Sequence, residues 1–196
     1  MKSIVLASGN PGKKAEIEAL LGLLGTRVIT QVDLGITEAE EPHDTFLENA
    51  LAKARHVCLA TRLPALADDS GLCVDALGGE PGVHSARYAG EPKSDLKNNE
   101  KLLAEMSVQG NRSAHYECVL VLMRGPGDMQ PLVAAAQWHG SIARQPRGSG
   151  GFGYDPLFVP QGMTMTAAEL APEQKNRISH RGQALAKLLE LLKREP

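Results

Sequence analysis

Near its start the chain runs "SIVLA", Ser3 to Ala7, then "SGNPGK", then "KKAEIEALLGLLG". The first segment has the length and apolar character of a buried strand. In the third, Ile17, Leu20, Leu21 and Leu24 recur at helical spacing, and Gly25 marks the helix end. A strand, a tight turn and a helix in that order open an α/β fold. The same alternation continues along the chain without internal repeat or low-complexity tract.

"TRVITQ" reads as a second strand, and the acidic "ITEAEEPHD" as a loop before the next helix. Thr45 and Glu48 form a capping box there, with Leu47, Leu51, Ala54 and Cys58 as its apolar stripe. "LPALADDSGL" then reads as a buried strand and turn, with Asp68 and Asp69 at the strand's end. "GGEPGVHSARYAGEP" is a Gly/Pro-rich loop, Leu96, Leu103 and Met106 mark a further helix, and this middle region is expected to form a lobe. "AHYECVLVLM" and "LVAAAQWHGSIA" read as two long strands joined by "RGPGDMQP", an antiparallel element that makes the sheet mixed. After the glycine-rich "RGSGGFGYDP" come a short "LFV" run, a capping box at Thr166 and Glu169, and a last helix striped by Leu185, Leu188, Leu189 and Leu192. No linker divides the 196 residues, so residues 1–196 are expected to form one domain, with two lobes.

Charge narrows the partners. Lys and Arg total 21 against 23 for Asp and Glu, which offers no support for a nucleic-acid or anionic-membrane partner. Cys58, Cys73 and Cys118 are odd in number, widely spaced and in apolar company, so they read as reduced core residues. No stretch has a signal peptide's apolar core or the roughly 18 apolar residues of a spanning helix, so the expected location is cytoplasmic.

Four groups of residues carry chemistry. In "SGNPGK", Ser8, Gly9, Asn10, Pro11, Gly12 and Lys13 place an N-cap and a first-turn proline at the end of a strand. That geometry suits a phosphate: backbone N–H groups and the positive helix end face outward, and Lys13 reaches an anion. A plain turn with a solvated lysine is the alternative, and the glycine spacing is not that of a Walker loop. The acidic group comprises Glu40 and Glu41 with Asp68 and Asp69; magnesium typically takes one or two protein carboxylates and keeps water and substrate phosphate as its other ligands. Buried like charges need a metal, a cation or a raised pKa, although a solvated run at Glu40 and Glu41 and a turn role for one Asp are the simpler alternatives. Ser70 either closes the turn or contacts phosphate. Lys53, on the margin of its helix's apolar face, either snorkels or faces a phosphate. Ser179 can cap the last helix, whose first turn carries His180 and Arg181 against the dipole preference. In "GGFGYDP", Phe152 and Tyr154 either stack on a base or plug the core.

Taken in order, "SGNPGK", "EEP" with "ENALAKA", "ADDSGL", "LGGEPGVHSARYAG", "GGFGYDP" and "SHRGQAL" resemble the inosine triphosphate pyrophosphatase family, also called the Ham1 or non-standard purine nucleoside triphosphatase family, in its bacterial form. The resemblance spans essentially the full length. Ser8 stands where many members have Thr, and Ser70 and Tyr154 where eukaryotic members tend to have Thr and Trp. The fold it implies has a mixed, strongly curved central sheet flanked by helices, with two lobes, a cleft between them, and a homodimer. The activity it implies is magnesium-assisted cleavage of ITP, dITP and XTP between the α and β phosphates.

Combined with that resemblance, the residues suggest a mechanism. Glu41 and Asp69 hold Mg2+, and Lys13, Lys53 and the N–H groups of residues 9 to 13 hold phosphate oxygens. Asp69, with Asp68, orients and deprotonates the attacking water. The resemblance also places Phe152, Gly153, Tyr154, Asp155, Lys175, His180 and Arg181 around the purine. There, donors from His180 and Arg181 meet a 6-oxo group, whereas adenine's 6-amino group sets donor against donor, a mismatch that discriminates by up to ~10⁴. A non-catalytic nucleotide-binding regulator, a nucleic-acid repair protein and a phosphatase acting on the terminal phosphate are the rival classes.

Overall fold

A computed structural model describes residues 3–22 and 25–194; Leu24, part of the expected apolar stripe of the first helix, lies outside the described residues. Six strands, β1 (Ser3–Leu6), β2 (Arg27–Thr30), β3 (Ala65–Val74), β4 (Ser113–Met123), β5 (Leu132–Ile142) and β6 (Phe158–Pro160), form one sheet in the order β2-β1-β3-β4-β5-β6. β1 pairs parallel with both β2 and β3, while β5 and β6 are antiparallel, so the sheet is mixed as expected. The helices are α1 (Pro11–Gly22), α2 (Phe46–Thr61), α3 (Asp95–Glu105), α4 (Pro172–Ile178) and α5 (His180–Lys193). None is long and apolar enough to cross a membrane.

The described chain divides into two compact units. The first comprises the residues up to Asp69, Cys118–Ala136 and those from Arg181 on. The second comprises Ser70–Glu117 and Gln137–His180.

In the first unit the sheet is covered on both faces, and the strand period of two decides which side chain meets which helix. Ile4, Leu6, Leu66, Cys118, Leu120 and Leu122 pack with Ile17 and Leu21 of α1 and Ala184, Leu185 and Leu188 of α5. Their neighbours Val5, Ala7, Ala65, Ala67, Val119, Val121 and Met123 pack with Ala50, Ala54, Val57 and Cys58 of α2. Burial on both sides is why these strands read as continuous apolar runs. Each buried Leu or Ile contributes roughly 1.5–3 kcal/mol.

The second unit has one aromatic-rich core that includes Tyr116, Trp138 and Phe158; ring centroids are 4.9 Å apart for Tyr116–Phe158 and 5.1 Å for Trp138–Phe158. Cys58 and Cys118 are buried and Cys73 half-buried, all as free thiols.

Local expectations differ at six points. β3 runs through ten residues, so Asp68 and Asp69 lie inside the strand and not at its end. Ion pairs on both faces of β3 let the strand continue through them. The "GGEPGVHSARYAGEP" loop contains the 3-10 turns Asp75–Leu77 and Gly82–Arg87. Leu47 is 45% and Leu96 69% exposed; the buried face of α2 is formed by Asn49, Ala50, Lys53, Ala54, Val57 and Cys58. Thr45 caps α2 by accepting from the Glu48 N–H at 3.2 Å, while its hydroxyl donates to the Glu48 carboxylate at 2.6 Å. The Thr166–Glu169 capping box is complete but opens only the short turn Ala167–Glu169. α4 is too short and too polar for periodicity to reveal it.

Candidate active site

β1 lies between β2 and β3 and is parallel to both, so the chain leaves it first for one neighbour and then for the other. The mouth of an open α/β sheet at such a switch point is where ligands bind. Here that mouth is formed by the turn from β1 into α1. The Asn10 Oδ1 accepts from the Lys13 N–H at 3.1 Å, which makes Asn10 the N-cap, and Pro11 is the first residue of α1. The Ser8 hydroxyl accepts from the Asn10 N–H at 3.1 Å. Since Pro11 has no N–H and those of Asn10 and Lys13 turn inward, Gly9 and Gly12 remain to supply a backbone cradle. A Cβ at Gly9 would approach the Glu38 carboxylate to 2.9 Å, so the turn is closely packed there.

The pairing of Leu6 with Leu66 sets β3 beside this turn. Two residues further, Asp68 continues on the Leu66 face, toward α1 and α5, and Asp69 on the Ala67 face, toward α2. The two carboxylates therefore find different cations. Asp68 Oδ1 is 2.6 Å from Lys13 Nζ, and its Oδ2 accepts from Arg181 Nε at 2.6 Å. Arg181, only 1% exposed, also donates through Nη1 to Glu16 of α1. Burial alone would raise the Asp68 carboxyl, but Arg181 and Lys13 hold it well below the usual carboxylate range. The buried Cys118 thiol donates to Asp68 Oδ2 at 3.5 Å; burial, with Asp68 beside it, keeps that thiol protonated, well above its ordinary value.

On the other face Lys53 Nζ lies 2.7 Å from Asp69 Oδ1 and 2.8 Å from Glu41 Oε1. Burial works against the ammonium, yet Asp69 and Glu41 outweigh it and raise its pKa. Burial raises the Asp69 carboxyl, opposed by Lys53 and Lys13. The two lysines also converge on one backbone atom, for Lys13 Nζ donates to the Asp68 carbonyl at 3.3 Å and Lys53 Nζ to the same oxygen at 3.0 Å. Two ammonium groups thus meet at one carbonyl, each also paired with a carboxylate.

Among the described residues no three His, Cys, Asp or Glu side chains converge as a ready-made metal centre. The donor set nevertheless fits magnesium, which needs only one or two protein carboxylates. Glu41 and Asp69 already share one cation through Lys53, and Asp69 Oδ2 is buried without a hydrogen-bond partner among the described residues.

The remaining candidates lie in the second unit. Asp155 Oδ2 accepts from the Phe152 N–H at 2.9 Å and from Lys175 Nζ, and that ammonium sits 4.7 Å from the centre of the Phe152 ring. A Cβ at Gly151 would fall 2.0 Å from Asp155 Oδ2, which explains the glycine there. Tyr154 is buried and its hydroxyl donates to the Ser85 carbonyl at 2.9 Å. His180 stacks on Tyr116 at 4.5 Å with rings 5° from parallel. Ser70, the first residue of this unit, is half-buried. Arg181 joins the carboxylate cluster of the first unit, whereas Phe152, Gly153, Tyr154, Asp155, Lys175 and His180 belong to the second.

Sequence reasoning missed two supporting residues in the first unit. Glu16 shares Arg181 with Asp68. Asn49 accepts from the His43 N–H at 3.1 Å and donates to the His43 carbonyl at 3.0 Å, clamping the loop that carries Glu41. The available signal for Asn49 was an amide on the buried face of α2.

Fold and site together define a class: an open α/β sheet whose switch point gathers carboxylates and lysines. The chain belongs to the Ham1 family, whose model matches residues 4–191. It is 60% identical over 192 residues to a protein of Nitrosomonas europaea named dITP/XTP pyrophosphatase, covering 98% of this chain and 95% of that one. A protein of the same name in Ralstonia nicotianae is 58% identical, with 98% of each chain covered. Among solved structures, a HAM1 protein from Coxiella burnetii matches with a TM-score of 0.90 and 47% identity over the whole of both chains. The Ham1 protein of Staphylococcus aureus gives a TM-score of 0.86 at 41% identity over 98% of each.

Proposed function

We propose that this chain hydrolyses the deaminated purine nucleoside triphosphates dITP, XTP and ITP to the monophosphate and pyrophosphate, cleansing the nucleotide pool. The observation that carries the reading is the pair of ammonium groups, Lys13 and Lys53, meeting at the Asp68 carbonyl beside the β1–α1 turn. Proteins of the same family at 60% and 58% identity bear the name of that activity.

Glu41 and Asp69 would hold Mg2+, which when bound supplies Lewis-acid neutralisation of phosphate charge. Lys13, Lys53 and the N–H groups of Gly9 and Gly12 hold the phosphate oxygens, stabilising the charge that builds on the leaving pyrophosphate. Ser8 and Asn10 keep the turn in shape, and Ser70 continues β3 past the aspartates. Asp69 takes the proton of the attacking water on Oδ2, the oxygen without a hydrogen-bond partner among the described residues, and burial has made that carboxyl the more basic of the pair. The water oxygen bonds to the α-phosphorus as the bond to the bridging oxygen breaks. Asp68, its oxygens held by Lys13 and Arg181, orients those cations instead of accepting a proton. For the base, Phe152 offers a face and His180 a donor to a 6-oxo group; Arg181, expected as the second donor, is engaged by Asp68 and Glu16, so Lys175 takes that place, and Asp155 holds Lys175 and Phe152 together.

We place the active form as a homodimer, in which residues 1–196 act as one two-lobed domain, and its partner as the nucleotide alone, with neither nucleic acid nor membrane. The three free thiols suit the reducing cytoplasm. The test is incubation with dITP, XTP, ITP, GTP and ATP plus magnesium, with product identification. Pyrophosphate from the first three, lost on adding EDTA, is expected; orthophosphate as the first product, or intact nucleotide, would overturn the reading.

A further inference from the structure

Gly153 lies in the middle of the Phe152–Asp155 loop at φ +61°, and nothing lies within 4 Å of where its Cβ would be. With Gly148, Gly150 and Gly151 just before it, the segment has little steric reason of its own to keep one shape. At Gly153 itself the restraint comes from α3. Asp95 and Asn99 stand one helical turn apart and so share a face. Asp95 Oδ2 accepts from the Gly153 N–H at 2.7 Å, and Asn99 Nδ2 donates to the Gly153 carbonyl at 2.8 Å. One helix thus grips both polar backbone atoms of a single glycine.

The grip is oriented. Asn99 Nδ2 also donates to the Asp95 carbonyl at 2.7 Å, so a flipped amide would set its oxygen against two carbonyls. Asn99 Oδ1 is meanwhile buried with no partner among the described residues. A buried acceptor left unmade is costly, and stability alone would not favour it. Between the two lies Asn98. Its Nδ2 donates to the Ser85 and Ala86 carbonyls at 3.3 and 3.1 Å, and its Oδ1 accepts from the Ala89 N–H at 2.8 Å. The Ser85 carbonyl is also the acceptor for the Tyr154 hydroxyl, so α3 holds the loop a second time through that segment.

We propose that Asp95 and Asn99 are positioning residues for purine discrimination, fixing the peptide planes at Gly153 so that Phe152 and Asp155 present one fixed surface to the base. The inference rests on the reading of residues 152–155 as base-recognising, and the experiment separates the two. Asp95→Ala, Asp95→Asn, Asn99→Ala and Phe152→Ala are compared for kcat and KM on ITP and ATP, together with thermal midpoints. Losing a hydrogen bond to the Asp95 carboxylate is expected to raise KM for ITP ~10-fold and to shrink the ITP-over-ATP ratio of kcat/KM by a similar factor, with kcat changed much less. Asn99→Ala is expected to act in the same direction. Asp95→Asn keeps an oxygen facing the Gly153 N–H, so it should recover most of the discrimination although it lacks the charge at the start of α3. Should Asn99→Ala fail to fold, the contrast between Asp95→Ala and Asp95→Asn decides. Discrimination that survives in Asp95→Ala and Asn99→Ala but is lost in Phe152→Ala would overturn the positioning role alone. Discrimination that survives in Phe152→Ala would remove the base-loop reading beneath it.

Discussion

The two units solve the problem of aiming a side chain by different means. In the first, the aspartates sit on β3, and strand geometry alone sends Asp68 toward Lys13 and Arg181 and Asp69 toward Lys53. In the second, Phe152–Asp155 lies on a glycine-rich loop, so each direction must be set by a separate hydrogen bond from Asp155, Asp95, Asn99 or Tyr154. A group carried by a doubly packed strand is aimed by the core. A group carried by a loop is aimed by polar contacts worth about 1 kcal/mol each. Changes in the first unit should therefore be abrupt, and those in the second graded.

The sharpest way to break this contrast is Asp69→Asn, which keeps the shape but removes the base: kcat is expected to fall ~10³-fold while the thermal midpoint moves by only a few degrees. A variant turning over normally would end the assignment of Asp69. Next comes Arg181→Met, which takes from buried Asp68 one of the two cations that hold it and from Glu16 the guanidinium that donates to it. Removing one partner of a buried ion network costs about 3–5 kcal/mol, readable by urea unfolding, and a loss under ~1 kcal/mol would show that the first unit is as tolerant as the second. Tyr154→Phe should lie lower, near 1 kcal/mol for one hydrogen bond, with the loss appearing as a modest rise in KM for ITP. The smallest effect belongs to Leu47→Ala: at 45% exposed, its unfolding free energy should stay within about 0.5 kcal/mol of the parent, whereas a large loss would restore the stripe read from the sequence.

Legibility followed the same division. The strand–turn–helix at Ser3–Leu21 and the need for positive charge beside Asp68 and Asp69 could be read directly, because period, capping and charge burial are local or nearly local rules. That β3 continues through both aspartates could not, since the compensating cations come from α2, α1 and α5, 16, 55 and 113 residues away in the chain. The expected stripe of α2 took Leu47 for a core residue because hydrophobicity outranked position; the helix instead buries Asn49 and Lys53, whose polar ends clamp His43 and meet Glu41 and Asp69. Asp95 and Asn99 gave no signal at all. Their partner is the backbone of a glycine more than fifty positions on, and no pattern of residue types encodes a bond to a peptide group.

The alternation along β3 places a counting rule on this stretch of the gene. Swapping one aliphatic side chain for another between Ala65 and Asp68 alters volume and little else, but losing or gaining a single codon there would turn each carboxylate to the opposite side of the sheet, with the lysine and arginine partners exchanged. The overall composition would be nearly untouched and the chemistry gone. Length in this segment should accordingly be far less free to drift than the identity of its residues.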